Sequence, residues 1–385
     1  MNPVTPRLDH LFRPLTLGNL NLPNRIIMGP MSRYRCRLDG TATDAVAQHF
    51  ADRASAGLLI CEPGYVHPSG RLGAESGGMA DSTHVRSWKR VTDAVHERGG
   101  RIFMQLIHGG RVSAPELQAD GGLPWAPSAV AARDDRVRVE PNHYGAAGTP
   151  RAMSRADIAT IVESFAAATE RAHEAGFDGV ELHGGNGYLV HQFLSSNVNR
   201  RGDEYGGSVA NRCRLILDLV DAMVAKFGPE YVGVKLTPVT SHHEVVVDDR
   251  DQMYDHLLRQ LDTHADLAYL SVQSTMGFLE TAPPPIDVFL YARERYSGTL
   301  LAAANLDRYS GEGLLASGTA DAAVYGRRFI ANPDLVGRFS GGHQENLVDW
   351  DTAILSGESG YNDYPTIHRA SPLAECAERL AESDR

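Results

Sequence analysis

Short runs of consecutive apolar residues alternate along this chain with longer stretches whose apolar positions recur every three or four residues. The short runs are RIIMGPM (25–31), LLICEP (58–63), RIFMQL (101–106), GVELHG (179–184), YVGVKLTP (231–238), LAYLSVQ (267–273), GTLLAAAN (298–305) and AAVYGRRFIAN (322–332). Runs of this length, apolar on both faces and bounded by Gly and Pro, predict strands buried on both sides. The periodic stretches predict helices: TDAVAQHFADRAS (43–55), about 82–98, SRADIATIVESFAAATERAHEAG (154–176) and NRCRLILDLVDAMVAKFG (211–228). In the third of these, Ser154 is placed to cap the start and Gly176 to stop the end. SGEGLLASG (310–318) has glycines two apart, but it falls inside a helical stretch and lacks the strand–turn–helix setting of a dinucleotide fingerprint.

Eight strands, each followed by a helix-compatible segment, imply parallel neighbours joined by crossovers. A doubly wound open sheet is the alternative. Eight even units over this length favour an α/β fold of the closed (β/α)8 TIM-barrel type. On that reading residues 1–385 are a single barrel domain. Residues 107–150, rich in Gly, Pro and charge, form a lid-like capping insertion after strand three, and 340–385 a C-terminal tail packed on the barrel.

Composition narrows the function. The 385 residues carry a net charge of −11, which disfavours a broad nucleic-acid-binding face. Cys36, Cys61, Cys213 and Cys376 lie far apart with no CxxC pair, so neither a disulfide framework nor a cysteine zinc site is expected. No N-terminal signal core and no membrane-length apolar run is visible, and a cytoplasmic protein is the expectation.

Barrel active sites sit where the strands end. The strand ends here are Pro30-Met31-Ser32, Cys61-Glu62-Pro63, Gln105 with His108, His183 with Asn186, Lys235, Gln273, Ala304-Asn305 and Gly326-Arg327. No converging His and Asp ligands support a metal site, and none is expected. His242-His243 lies beyond strand five without metal-ligand spacing. A lysine inside GVKLTP is costly to bury without an anionic partner, and an ion pair with a barrel carboxylate such as Glu62 or Glu181 is the plainer reading. Arg327, just past strand eight, sits where barrels often hold phosphate, although a surface turn is the plainer reading.

Several longer segments are more specific. LFRPLTLGNLNLPNRIIMGPMSR, ADRASAGLLICE, GRIFMQLIHGGR, EAGFDGVELHGGNGYLVHQFL, NRRGDEYGGSVANRCRL, YGRRFIANPDLVGR and SGYNDYP run in order from about residue 11 to 366. Together they resemble the Old Yellow Enzyme family of FMN-dependent ene-reductases. The resemblance implies FMN across the barrel mouth, with NADPH or NADH as reductant. It implies that Pro30, Met31, Ser32 and Pro63 lie along the flavin, that Gln105 meets its pyrimidine end, and that Lys235 faces N1 and O2. It further implies that Ala304, Asn305, Gly326 and Arg327 hold the phosphate and that Tyr361 approaches the ring. The substrate is then a small-molecule electron-poor alkene, its activating oxygen bonded by His183 and Asn186 and its α-carbon protonated by Tyr188. Asn donates through its NH2, and a tyrosine is protonated at neutral pH, so each residue type suits its role.

The pattern departs from the family in places. Ile107 stands where many members carry Trp, Leu72 and Gly73 where an aromatic is common, Pro63 where a small residue is usual, and Lys235 where Arg is usual. A substrate cavity with Ile107 in its wall would be enlarged or reshaped, which implies a specialised, bulkier substrate. A redox-neutral isomerase or cyclase of secondary metabolism is the alternative activity, and a non-catalytic flavin sensor a third. The protein is expected to be a monomer or homodimer with no nucleic-acid or membrane partner.

Overall fold

The eight apolar runs pair as strands in the computed structural model, which describes residues 7–119, 121–133, 135–264, 266–275 and 286–368. They are β1 (Ile26–Met28), β2 (Leu58–Ile60), β3 (Ile102–Ile107), β4 (Gly179–His183), β5 (Val232–Leu236), β6 (Tyr269–Gln273), β7 (Leu300–Ala303) and β8 (Ala322–Tyr325). Each pairs in parallel with the next, and β8 returns to β1 with Val324 opposite Ile27. The sheet is closed: a (β/α)8 barrel.

Period-two alternation sorts the strands into two cores. Ile27, Leu58, Ile60, Phe103, Tyr269, Leu301, Ala303, Ala322 and Val324 cluster inside the barrel. Their neighbours Ile26, Met28, Leu59, Met104, Val180, Val234, Leu270 and Ala302 join the layer beneath the helices. An antiparallel hairpin, Leu15–Leu17 with Leu20–Leu22, delivers Leu17 and Leu22 to the inner cluster and so plugs the barrel. Higher up, the inward positions become Gln105, Glu181, His183, Lys235, Ser271 and Gln273, all buried. The barrel therefore changes from apolar to polar along its own strands, at the end where a ligand is expected.

The principal helices are α1 (Asp44–Ala51), α2 (Ser82–His96), α3 (Arg155–Glu174), the short α4 (Leu189–Leu194), α5 (Val209–Phe227), α6 (Arg250–Asp262), α7 (Val288–Arg293), α8 (Arg308–Ala316) and α9 (Arg327–Ala331). Ser154 and Asp157 form a reciprocal capping box at the start of α3, and Gly176 follows its end at φ 83°. The eighth run is shorter as a strand than its sequence suggests. After Gly326 the segment RRFIA coils into α9, where Arg53 donates to the carbonyls of Phe329 (2.8 Å) and Ile330 (3.0 Å) and satisfies acceptors that a strand would have paired. Among the described residues, no helix is long and apolar enough to cross a membrane.

The insertion after β3 has structure of its own. Arg136–Glu140 pairs antiparallel with His143–Ala146, and Trp125–Ala126 pairs with Arg151–Ala152. The buried Arg138 guanidinium ties this hairpin to the C-terminal segment, donating to Ile354 O (2.8 Å), Ser356 Oγ (2.5 Å) and Glu75 (2.8 Å). Arg33 reaches the same segment at Ala353 O (2.9 Å) and Gly360 O (2.6 Å). These bonds tie the described part of the C-terminal segment to the loop after β1; residues 369–385 of the expected tail, with Cys376, lie outside the described residues.

Candidate active site

The segment HGGNGYLVHQFL, which runs from the last residue of β4 through a short loop to the end of α4, is fixed at several points by its own side chains and backbone. The Gly187 N–H donates to His191 Nδ1 (3.0 Å), and Gln192 donates to Gly187 O (2.8 Å) and Gly109 O (3.1 Å). Asn186 N–H donates to Thr237 Oγ1 (2.8 Å) beyond β5. Gly187 adopts φ 78°, and a Cβ there would run into the carbonyl of His242. Only glycine lets this loop lie so close to the chain beyond β5. His191 and Gln192 are buried props for the loop, and burial pulls the His191 pKa down to about 4, which keeps it a neutral acceptor.

This loop aims His183, Asn186 and Tyr188 into a cavity of about 340 Å³ at the C-terminal mouth of the barrel. Hydrogen bonds set what each can do. His183 Nδ1 accepts from Gly185 N–H (3.3 Å), which leaves the proton of the neutral ring on Nε2. Burial first, and Lys235 second, hold His183 well below its ordinary pKa, so it presents a neutral N–H donor. Gln273 Nε2 donates to Asn186 Oδ1 (3.3 Å), so the Asn186 carbonyl is occupied and its NH2 is turned to donate. Asn186 sits at φ 50°, a left-handed conformation that Asn tolerates. The Tyr188 ring lies edge-on to His183, with centroids 5.2 Å apart, and burial raises its pKa so that the hydroxyl stays protonated.

The floor carries charge. Lys235 is 7% exposed, and burial lowers its pKa while Glu181 raises it. No hydrogen bond or close ion pair holds its ammonium among the described residues. Of the two carboxylates the sequence offered, Glu181 is the charge partner. Glu62 instead faces Arg33, whose N–H it accepts at 3.4 Å, and burial pushes Glu62 up to about 7. Glu181 Oε1 accepts from Gln105 (2.6 Å), and the Tyr269 phenol lies against the same buried carboxylate.

All the expected site residues line this one cavity except two: Pro30, Met31, Ser32, Pro63, Gln105, His183, Asn186, Tyr188, Lys235, Ala304, Asn305, Gly326 and Arg327. Tyr361 does not. It is 1% exposed and lies in the seam between the tail and α1, stacked on His49 at 4.1 Å with the Arg33 and Arg35 guanidiniums over its ring at 5.1 and 5.0 Å. Two cations and an imidazole hold the ring there. Ile107 is also absent from the lining. β3 runs one residue beyond the apolar run, and Ile107 pairs with Tyr65 within the sheet and is fully buried. Beyond the expected set the lining includes Gly29, His242, Ser271, Gln273, Ala303 and Val324. Gln273 was visible as a strand end, but its hold on Asn186 spans two strands and leaves no local signal.

A flavin mononucleotide can be tested against this site. Ala304, Asn305, Gly326 and Arg327 also line a second hollow that continues outward between the ends of β7 and β8. Arg327 donates to Asn305 Oδ1 (2.7 Å) at that junction. An elongated ligand with a flat, electron-poor ring at Lys235 and an anionic end at Arg327 matches both hollows. The buried, unbonded ammonium and the cation on the β7–β8 shelf fit such a group.

Comparisons with known proteins point the same way. The NADH:flavin oxidoreductase / NADH oxidase family matches residues 10–346. A Leishmania infantum protein named "probable flavin mononucleotide-dependent alkene reductase" is 37% identical over 375 residues, spanning 95% of this chain and 100% of that one. 12-Oxophytodienoate reductase 1 of Oryza sativa subsp. japonica is 35% identical over 362 residues, 93% of each chain. Among solved structures, morphinone reductase superposes with a TM-score of 0.88 at 40% identity, covering 93% of this chain and 96% of that one. An old yellow enzyme homologue from Zymomonas mobilis gives 0.88 at 31% identity, covering 92% and 99%.

Proposed function

The chain belongs to the NADH:flavin oxidoreductase / NADH oxidase family, and from that premise we propose that it is an FMN-dependent reductase of electron-poor alkenes, driven by NAD(P)H. The observation that carries this reading is the convergence of two N–H donors and one hydroxyl from the β4 loop on the cavity that also holds the buried Lys235 ammonium. FMN, when bound, supplies the chemistry of taking hydride from NAD(P)H and passing it to the β-carbon of the alkene. The residues supply the rest. His183 Nε2–H and Asn186 Nδ2–H bind the activating oxygen, where negative charge grows as hydride arrives. Tyr188 gives its proton to the α-carbon. Gln273 holds the Asn186 amide in its donating orientation. Lys235 and Gln105 would hold the polar edge of the flavin ring; Pro30, Met31, Ser32 and Pro63 would pack along it; Ala304, Asn305, Gly326 and Arg327 would hold its phosphate. The β4-loop hydroxyl favours net reduction, since an isomerisation that returns hydride consumes no net proton.

The test is direct. Purified protein, reconstituted with FMN if necessary, should lose its visible flavin absorption on anaerobic addition of NADPH or NADH. It should regain it on addition of an alkene conjugated to a carbonyl or nitro group, with one reduced nicotinamide consumed per product. A protein that binds no FMN, or that turns over alkenes without consuming nicotinamide, overturns the proposal. A specialised substrate is tested in the same assay by comparing cyclohexenone with bulkier enones; faster turnover of cyclohexenone would argue against it.

A further inference from the structure

In and just below the cavity floor, the inward positions of three neighbouring strands hold one cation and one carboxylate. Glu181 on β4 stands opposite Gln105 on β3 and Gly233 on β5, one layer beneath Lys235 and His183. Glu181 is 0% exposed. Gln105 engages Oε1 at 2.6 Å, and the Tyr269 phenol lies beside the carboxylate, with neither its hydroxyl nor Oε2 in a hydrogen bond of good geometry. The groups facing Glu181 are Lys235 on β5 and the Tyr269 phenol on β6; the Cys61 thiol, just past β2, lies in the layer beneath the helices against Met104 Sδ at 3.1 Å. Burial holds both phenol and thiol in their neutral forms, so Lys235 is the one cation balancing this carboxylate among them.

We propose that Glu181 is a positioning residue for charge: it balances Lys235 while the bound flavin is oxidised and takes up a proton from solvent when the flavin is reduced. The inference rests on the flavin reading above. A hydride brings two electrons and one proton, and so places one additional negative charge opposite Lys235. The layer then holds one cation against two anions at low dielectric. Two buried like charges beside a single counter-charge cannot both persist without large cost. A proton from water on Glu181 Oε2 restores neutrality: one O–H bond forms on the carboxyl, one hydroxide remains in solvent, and no further electrons move. When hydride leaves for the alkene, the proton returns to solvent. Gln105 already satisfies Oε1 by donating to it, so Oε2 is the oxygen that takes the proton, with the Tyr269 phenol beside the carboxyl to accept from the new O–H.

The experiment uses the FMN-loaded protein. The midpoint potential is measured against pH by spectroelectrochemistry, giving the number of protons taken up per two electrons. Wild type is expected to take up about two, and Glu181→Gln about one. Infrared difference spectra of the wild-type protein itself, oxidised against reduced, should show a new carboxylic-acid C=O band that shifts in D2O. This band should vanish in Glu181→Gln and persist in Glu62→Gln. The infrared measurement keeps the test alive if Glu181→Gln does not fold. Equal proton counts in the two proteins, or no new carboxylic-acid band in wild type, would overturn the proposal while leaving the flavin reading intact. Absence of bound flavin would instead remove the reading it rests on.

Discussion

Replacing Tyr188 by Phe isolates one atom of the proposed chemistry. The ring is retained, with its packing against His183 at 5.2 Å and His243 at 5.1 Å between centroids. The hydroxyl has no hydrogen-bond partner among the described residues, so its loss leaves no buried group unsatisfied, and the change in folding stability should be less than about 1 kcal/mol. What disappears is the proton donor. General acid catalysis by a positioned side chain contributes roughly 10²–10⁴-fold, or about 3–5 kcal/mol of barrier at 1.36 kcal/mol per tenfold. Because burial raises the Tyr188 pKa, the wild-type donor stays protonated throughout the neutral range, and its rate should not fall as pH rises from about 6 to 9. Anaerobic rapid mixing separates the two halves. Flavin reduction by NAD(P)H should be nearly unchanged in Tyr188→Phe, and reoxidation by an enone should slow by the factor above. Reoxidation by a quinone, which needs no proton on carbon, should be spared. Equal slowing of both halves, or an enone step as fast as wild type, would show that Tyr188 is not the donor.

Asn186→Asp replaces a donor with an acceptor facing the activating oxygen. Loss of one such donor should cost roughly 10²–10³-fold in the enone step, with quinone reduction much less affected, as read in the same rapid-mixing assay. Lys235→Met removes the cation facing Glu181 and so raises the Glu181 pKa further; stability of the flavin-free variant in urea denaturation should fall more steeply than wild type as pH rises, and Glu181→Gln added to it should remove that extra slope. Equal slopes in the single and double variants would mean that the two do not form a charge pair. Glu62 binds its proton more tightly in the folded protein, at about 7 against 4.5 for an unperturbed glutamate, so its contribution to stability is full below about pH 4.5 and is lost as pH rises through 7. The loss approaches about 3 kcal/mol. Glu62→Gln should therefore melt higher than wild type at pH 8 and no higher at pH 4.5; a pH-independent difference would exclude this linkage.

The parts of the molecule legible in the sequence are those where neighbours along the chain decide the outcome. Each barrel strand is a run buried on both faces, so its period and its Gly and Pro borders suffice to find it. Position within the strand then tells that Gln105, His183 and Lys235 look inward at the reactive end. The misread parts depend on residues far away in sequence. RRFIA has the apolar content of a strand end, yet Arg53, more than 270 positions earlier, accepts its role as cap for the carbonyls of Phe329 and Ile330. Tyr361 carries a family-like motif, but what fixes its ring is His49 with Arg33 and Arg35, and these draw it away from the cavity. The same distinction explains why HGGNGYLVHQFL was readable in type and not in orientation. Its glycines and polar residues announce a site by themselves. Whether Asn186 faces the cavity as donor or acceptor is decided by Gln273, 87 residues on and two strands across, and that choice is what makes the loop suited to an oxygen gaining charge.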